Sequence, residues 1–479
     1  MPDGTPYFMI AQKEDIIRRF DAIAPRRQYW REKNQYYYND QETYMRFLIP
    51  AGRSVLEFGC ATGDLLNSLN PSRDVGIDIS ADMIHVARGR FPELDFRTGD
   101  IEDIAPWGET FDFIILADVV GHLFDIQAAF NRLHPFCRPD TRIIVSYYNF
   151  LWEPALKLAE KIGRKMPQQH QNWLSSIDIA NLLNLARFQA VKTESRFLIP
   201  IRIPGLSNFI NRYLAALPGV RRLCISRYIV ARQHETPPIR DHSTSIVIPC
   251  RNERDNIRPA VERLPAFGEC QEIIFVDGHS TDGTPKEILR VIEEFPGKDI
   301  KLLVQDGTGK GDAVRKGFDA ATGDILMILD ADLTVPPEDL PKFYDALTND
   351  LGEFINGCRL IYPMEKQAMR YLNYLGNKFF SMMFTWILNQ PFKDTLCGTK
   401  VLFRRDYAKI KADRAYFGDF DPFGDFDLIF GAVKQNLKIV EMPVRYRERV
   451  YGVTNIHRFR HGWLLLKMTV FAFKKIKAI

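Results

Sequence analysis

The sequence predicts an α/β protein made of two Rossmann-like domains, and three observations carry that prediction. Short apolar runs of strand length alternate with amphipathic stretches of helical period. In both halves the strands end on glycine-rich or acidic loops, the position at which open α/β sheets bind ligands. The 479 residues also exceed what one hydrophobic core usually holds. The segment 233–238, QHETPP, is polar and proline-rich ahead of a fresh strand. It sets the expected domains at 1–237 and 238–479.

Composition narrows the function classes. An apolar content of 46% supports globular packing, and a formal charge of +4 is too small to provide a global field for nucleic acid. No nucleic-acid partner is expected, because residues 1–240 hold no long basic run. Charge concentrates at the other end: residues 445–479 carry nine Lys or Arg against one acid, Glu448. The seven cysteines are scattered and never form C-x-x-C, which argues against a disulfide framework or a zinc site and for a reducing cytoplasm. The first residues lack the pattern of a signal peptide, and no run reaches the roughly 18 apolar residues of a spanning helix.

Taken in order, residues 1–50 place Ile16, Phe20, Tyr37, Tyr44 and Phe47 at helical spacing, which predicts helices over the entrance of the domain that follows. A strand at Ser54–Phe58 runs into Gly59-Cys60-Ala61-Thr62-Gly63 and then a helix. Glycines there let the backbone approach a ligand, and the helix offers free N–H groups. A second strand ends at Asp78, where dinucleotide-type folds place an acid on the ribose. Further strands are expected at 94–97, ending at Gly99-Asp100-Ile101, at 111–116, ending at Asp118, and at 142–147. The alternation predicts a parallel, doubly wound sheet. His122, just after the fourth strand, is the candidate general base. Pro200, Pro204 and Pro218 interrupt the apolar stretch 197–220, which excludes a single membrane helix there.

The motif E-F-G-C-A-T-G at 57–63 followed by G-I-D at 76–78 resembles the class I S-adenosylmethionine-dependent methyltransferases. The resemblance implies that Glu57, Gly59 and Gly63 line the methionine part of S-adenosylmethionine, that Asp78 takes the ribose, and that Asp100 with Ile101 lies beside the adenine. Ala61 stands where many relatives have Gly. The domain is therefore expected either to methylate an acceptor or to bind the cofactor as a regulatory module.

The second half opens with a strand at 244–249 and Cys250-Arg251-Asn252-Glu253, then a strand ending at Asp277, a third at 301–304 and the glycine-rich 307–312. The fourth strand, Ile325 to Leu329, is continuously apolar and delivers Asp330 and Asp332. Two hard oxygen ligands at i, i+2 suit one divalent cation, which would neutralise a diphosphate leaving group. The pieces PCRNERDN, VDGHSTDGT, GKGDAVRKGF, LDAD, DTLCGTK and YGVTNI together resemble the family-two glycosyltransferases of GT-A fold, most of all the dolichyl-phosphate mannose synthase type. The resemblance implies that Pro249, Glu253 and Asp277 hold the nucleotide of a nucleoside diphosphate sugar, and that Asp330 and Asp332 hold Mg²⁺ or Mn²⁺. Gly278 replaces a second Asp found in many relatives.

Two acceptors stay open. A glycan hydroxyl needs a carboxylate base, Asp425 or Asp427. A polyprenyl phosphate, whose second pKa is about 6, is already anionic and needs cations instead, for which Arg359, Arg445, Arg447, Arg449 and Arg458 are the candidates. Amphipathic stretches at 370–388 and 462–479, the second with Lys467, Lys474, Lys475 and Lys477, favour peripheral contact with the cytoplasmic face of a membrane.

Overall fold

The computed structural model describes residues 7–168, 171–234, 241–360, 371–418, 426–444, 451 and 458–479. It divides into two compact units, Met1–Glu235 with Lys477–Ile479, and Thr236–Ile476. Each is organised around a seven-stranded sheet.

In the first unit the strands are β1 (Ser54–Phe58), β2 (Arg73–Asp78), β3 (Phe96–Thr98), β4 (Phe111–Ala117), β5 (Cys137–Tyr148), β6 (Phe188–Arg196) and β7 (Ser226–Gln233). Their order is β3-β2-β1-β4-β5-β7-β6. Strands β1 to β5 pair in parallel, so the chain direction reverses its march between β1 and β4, and the ends of those two strands define the ligand crevice. The sheet is not wholly parallel as expected, because β7 runs antiparallel to both β5 and β6. A short apolar run specifies burial and not direction, and an antiparallel return needs no crossover helix. Phe58, Ile77, Leu116, Phe130, Phe136 and Ile143 are among the side chains that fill the core between sheet and helices. Helices Tyr7–Ile23, Arg27–Lys33 and Gln35–Leu48 precede the sheet.

In the second unit the strands are β8 (Thr244–Cys250), β9 (Gln271–Asp277), β10 (Asp299–Val304), β11 (Ile325–Ile328), β12 (Phe354–Cys358), β13 (Lys400–Phe403) and β14 (Ile439–Pro443). Their order is β10-β9-β8-β11-β13-β12-β14. Strands β8 to β11 are parallel, whereas β13 enters antiparallel between β11 and β12. The register pairs Cys250 with Asp277 and Val247 with Ile328, so the carboxyl ends of β8, β9 and β11 lie side by side. Ile325, Leu326, Met327 and Ile328 are fully buried, as their unbroken apolar run requires.

Two helices of this unit divide their apolar residues between core and solvent. Helix Tyr371–Leu388 buries Phe380, Phe384 and Ile387, with Phe384 stacked on Phe426 at 5.2 Å, and leaves Phe379 and Met382 exposed. Helix Arg458–Ala472 buries Leu465, Met468 and Ala472 and exposes Trp463, Leu466 and Val470. Among the described residues no helix is long and apolar enough to cross a membrane. Lys477 corrects the expected basic edge: it is buried, and its Nζ donates to Glu194 Oε2 at 2.6 Å. Lys475 Nζ donates to the Tyr416 carbonyl, while Lys467 and Lys474 remain exposed.

Candidate active sites

The first site lies in a cleft at the carboxyl ends of β1, β2 and β4. Gly59, Asp78, Asp100, Ile101 and His122 all line it, together with Lys13 and Phe20 from the first helix. Glu57 and Gly63 stand behind this lining. Glu57 is buried with Oε2 lacking any hydrogen-bond partner. Burial first, and then the neighbouring Asp78 charge, push its pKa to about 8. An orphaned carboxyl oxygen beside a glycine turn suits a cationic ammonium such as that of S-adenosylmethionine, so the residues present fit that cofactor.

The turn glycines answer a demand of the fold itself. Gly59 and Gly63 have φ of +72° and +78°. A Cβ on Gly59 would lie 2.0 Å from Val119 Cγ2, and one on Gly63 would lie 2.4 Å from Phe96 Cζ. Asp78 fastens the turn: its Oδ2 accepts from Ala61 N at 2.9 Å and its Oδ1 from Ser80 N at 2.9 Å. Burial raises its pKa against those bonds. Asp100 accepts from Lys13 Nζ at 2.6 Å, a contact between the first helix and the end of β3. His122 packs edge-on against Phe20 at 5.3 Å and faces Gln168 Nε2 at 3.4 Å.

Sequence reasoning gave Asp118 no role, yet it is the most elaborated carboxylate of this cleft. Its Oδ2 accepts from Tyr37 Oη at 2.7 Å and Gln41 Nε2 at 3.0 Å, and its Oδ1 from Ser146 Oγ at 3.1 Å. Burial raises its pKa in spite of these bonds. The available signal was an acid directly after β4; the structure adds that it sits in a left-handed backbone position with φ of +58°.

The second site gathers at the ends of β8, β9 and β11. Pro249 is the penultimate residue of β8, and Glu253 is buried at the start of helix Arg254–Glu262, with its Oε2 accepting from Asn256 Nδ2 at 2.6 Å. Asp277 accepts from Ser280 N through Oδ2 at 3.1 Å, while its buried Oδ1 has no partner. Such an oxygen calls for an external N–H or O–H donor. Asp330 forms an ion pair with Lys310 at 2.6 Å, and Asp332 Oδ1 accepts from Thr334 Oγ1 at 2.8 Å. Burial would raise the Asp330 pKa, but Lys310, Lys400 and Arg359 outweigh it and hold the carboxylate ionised. Among the described residues no group of three or more His, Cys, Asp or Glu is placed to hold a metal ion. The two carboxylates still suit a divalent cation by donor chemistry, with Lys310 as the cation that it would displace from Asp330.

Two candidates are placed otherwise than expected. Arg359 is no open phosphate ligand, because Nε and Nη2 grip Asp394 at 2.7 and 2.8 Å and its backbone N–H adds a third bond. Asp394 is fully buried, and Arg359 holds its pKa down although burial alone would raise it. Asp427 accepts from Arg414 Nε at 2.9 Å and lies 3.9 Å from Arg315, which leaves it paired rather than poised to take a proton. Asp425, Arg445, Arg447 and Arg449 lie outside the described residues, as does the side chain of Arg458. Lys310, Lys400 and Asp394 escaped sequence reasoning, although the glycine-rich GKGD and CGTK runs marked where the chain packs closest. Gly398 shows how close: a Cβ there would fall 2.0 Å from Asp330 Oδ2.

Comparison with known proteins agrees with this division. The family model "Methyltransferase domain" matches residues 29–193, and "Glycosyl transferase family 2" matches residues 245–410. "Glycosyltransferase AglJ" of Haloferax volcanii is 29% identical over 222 residues, 46% of this chain and 68% of that protein. "Dolichol-phosphate mannosyltransferase" of Saccharomyces cerevisiae is 36% identical over 109 residues, 22% of this chain and 40% of that protein. "Undecaprenyl-phosphate 4-deoxy-4-formamido-L-arabinose transferase" of Sodalis glossinidius is 34% identical over 120 residues, 24% and 36% respectively. The chain thus spans about two thirds of the first relative's length and well under half of the other two. It carries one segment that matches the methyltransferase domain model and a second that matches the family 2 glycosyl transferase model.

Proposed function

We propose that the second unit transfers a sugar from a nucleoside diphosphate sugar to a polyprenyl phosphate, with inversion, at the cytoplasmic face of a membrane. The observation that carries this reading is the row of carboxylates on adjacent strand ends, Asp277 with its unpartnered oxygen and Asp330 with Asp332. Asp277, Glu253 and Pro249 would orient the nucleotide, and Asp330 and Asp332 would hold Mg²⁺ or Mn²⁺. Such an ion supplies charge neutralisation for a departing diphosphate. Lys310 and Lys400 add fixed positive charge on the same side of the sheet. A phosphate acceptor suits the pairing of Asp427 with Arg414, since an anionic nucleophile requires no base. The names of the yeast and Sodalis relatives, both polyprenyl-phosphate transferases, support the same acceptor class. The outward apolar residues of helices Tyr371–Leu388 and Arg458–Ala472 support contact with the bilayer in which such an acceptor resides.

In the first unit the same proposal gives S-adenosylmethionine to the cleft, where it would supply an electrophilic methyl group. Glu57 would pair with its ammonium, Asp78 with the ribose, and Asp100 and Ile101 would border the adenine. Asp118 or His122 would receive or orient the acceptor proton. The methylated product would belong to the same glycan or glycolipid pathway.

The test is release of nucleoside diphosphate from a panel of nucleotide sugars with Mn²⁺, with and without a short-chain polyprenyl phosphate, for wild type and Asp332→Ala. Release that requires both the lipid and Asp332 supports the proposal. Release that proceeds with a sugar acceptor and no lipid replaces it with the glycan-hydroxyl reading.

A further inference from the structure

Between β6 and β7 the chain makes an excursion, 197–225, far longer than the two to five residues that join most antiparallel neighbours. It contains only short helical turns, Leu206–Phe209, Ile210–Leu214 and Val220–Leu223. Its polarity is inverted. Ser207 is fully buried, where its hydroxyl bonds the Ile201 carbonyl at 2.6 Å and accepts from Ile203 N at 2.8 Å. Asn211 Oδ1 accepts from Leu198 N and Ile199 N, both at 2.8 Å. The polar side chains therefore staple the excursion from within; Phe197 and Ile225 anchor its two ends in the core, and several of the large apolar side chains between them face outward. Ile201 is 68% exposed, Leu206 51%, Phe209 53% and Leu223 55%. Trp152 Nε1 donates to the Leu223 carbonyl at 2.6 Å, and Asn149 Nδ2 to the carbonyls of Arg222 and Cys224, which brings exposed Phe150 and Leu151 beside this surface.

Charge selects the occupant. Residues 197–224 hold four arginines, Arg202, Arg212, Arg221 and Arg222, and no acid. Arg202, Arg212 and Arg222 are exposed. An anionic bilayer is met by just this pairing of an apolar body with a basic rim that holds no carboxylate of its own. An outward apolar cluster of this kind also exceeds the scattered exposed leucines normal for a soluble surface.

We infer that the 197–224 excursion, with Phe150 and Leu151, is a docking surface by which the methyltransferase unit seats itself on an anionic lipid bilayer. The inference concerns the first unit alone and stands whatever acceptor the second unit uses. It makes the substrate of methylation a molecule reached at the membrane surface.

The experiment uses the full chain with Phe209→Cys in a Cys270→Ser background, which removes the exposed native thiol, labelled with a polarity-sensitive fluorophore. Cys270→Ser protein carried through the same labelling supplies the background. On phosphatidylglycerol vesicles the emission is expected to shift to the blue and to be quenched by brominated acyl chains. Replacing Arg202 and Arg222 by Gln is expected to raise the lipid concentration at half-response by about fivefold per arginine. The site-specific dye separates this surface from any membrane contact made by the second unit. No shift on anionic vesicles, an equal shift on purely phosphatidylcholine vesicles, or a shift that appears without lipid as protein concentration rises would each overturn the inference, the last in favour of a contact between two copies.

Discussion

Glu57 holds its proton in the folded protein at neutral pH because burial and the Asp78 charge raise its pKa to about 8. The sign of the consequence follows from proton linkage: the folded state binds the proton more tightly than the unfolded chain. The stabilisation is full below about pH 4.5 and is lost as pH rises through about 8. Glu57→Gln keeps the shape and removes the titration, so its Tm should fall less than that of wild type between pH 6 and 9, read by thermal unfolding across pH. A cofactor ammonium at Oε2 would expel the proton, so the heat of S-adenosylmethionine binding at pH 7 should vary with the ionisation enthalpy of the buffer. Loss of that charged bond should weaken binding roughly 10- to 100-fold, which titration calorimetry measures directly. Gly398 is a second residue with a sharp expectation. A methyl group there meets Asp330 Oδ2 at 2.0 Å, Asp330 Cγ at 2.5 Å and Lys310 Nζ at 2.4 Å, so the whole carboxylate has to turn away. Gly398→Ala should therefore displace Asp330, at a cost on the order of 10²-fold in turnover, the scale of a misplacement of about 1 Å, read by comparing turnover with wild type.

At the scale of elements, the pair Arg359 and Asp394 ties the end of β12 to the loop that leads into β13. Arg359 is 12% exposed and Asp394 is not exposed at all. Removing the guanidinium strands a buried carboxylate, which costs about 3–5 kcal/mol. Arg359→Ala should thus lower the urea midpoint in equilibrium unfolding, and restoring neutrality with Asp394→Asn in the same chain should recover part of the loss. A phosphate-binding arginine would instead leave stability unchanged and raise the KM for the acceptor. This element also shows where sequence reading stops. A strand followed by glycine and an acid is visible in the order of residues, so β1, β2, β9 and β11 and the acids that follow or end them were legible. Which cation meets which acid depends on chain segments 35 positions apart for Arg359 and 20 apart for Lys310, and no local pattern encodes that meeting.

Over the whole molecule, each unit buries a core of its own, one around Phe58, Leu116 and Phe136, the other around Ile248, Phe275 and Leu329. Saturating S-adenosylmethionine should therefore raise the melting of the first unit by roughly 2.7 kcal/mol of linkage at a hundredfold excess over Kd, with the second unit's transition unmoved in calorimetry. Glu57→Gln should likewise leave release of nucleoside diphosphate unchanged. The order of residues by itself determined that there are two α/β sheets, that their strand ends carry glycine and carboxylate, and which transferase chemistry each end resembles, because apolar period and turn residues are local properties. Only the tertiary structure decided the antiparallel entry of β7 and β13, the engagement of Asp118, Arg359 and Asp427, the withdrawal of Lys477 from the surface, and the outward turn of Ile201, Leu206, Phe209 and Leu223. Those outcomes are set by which distant groups compete for the same partner and by which face of a segment is left without one.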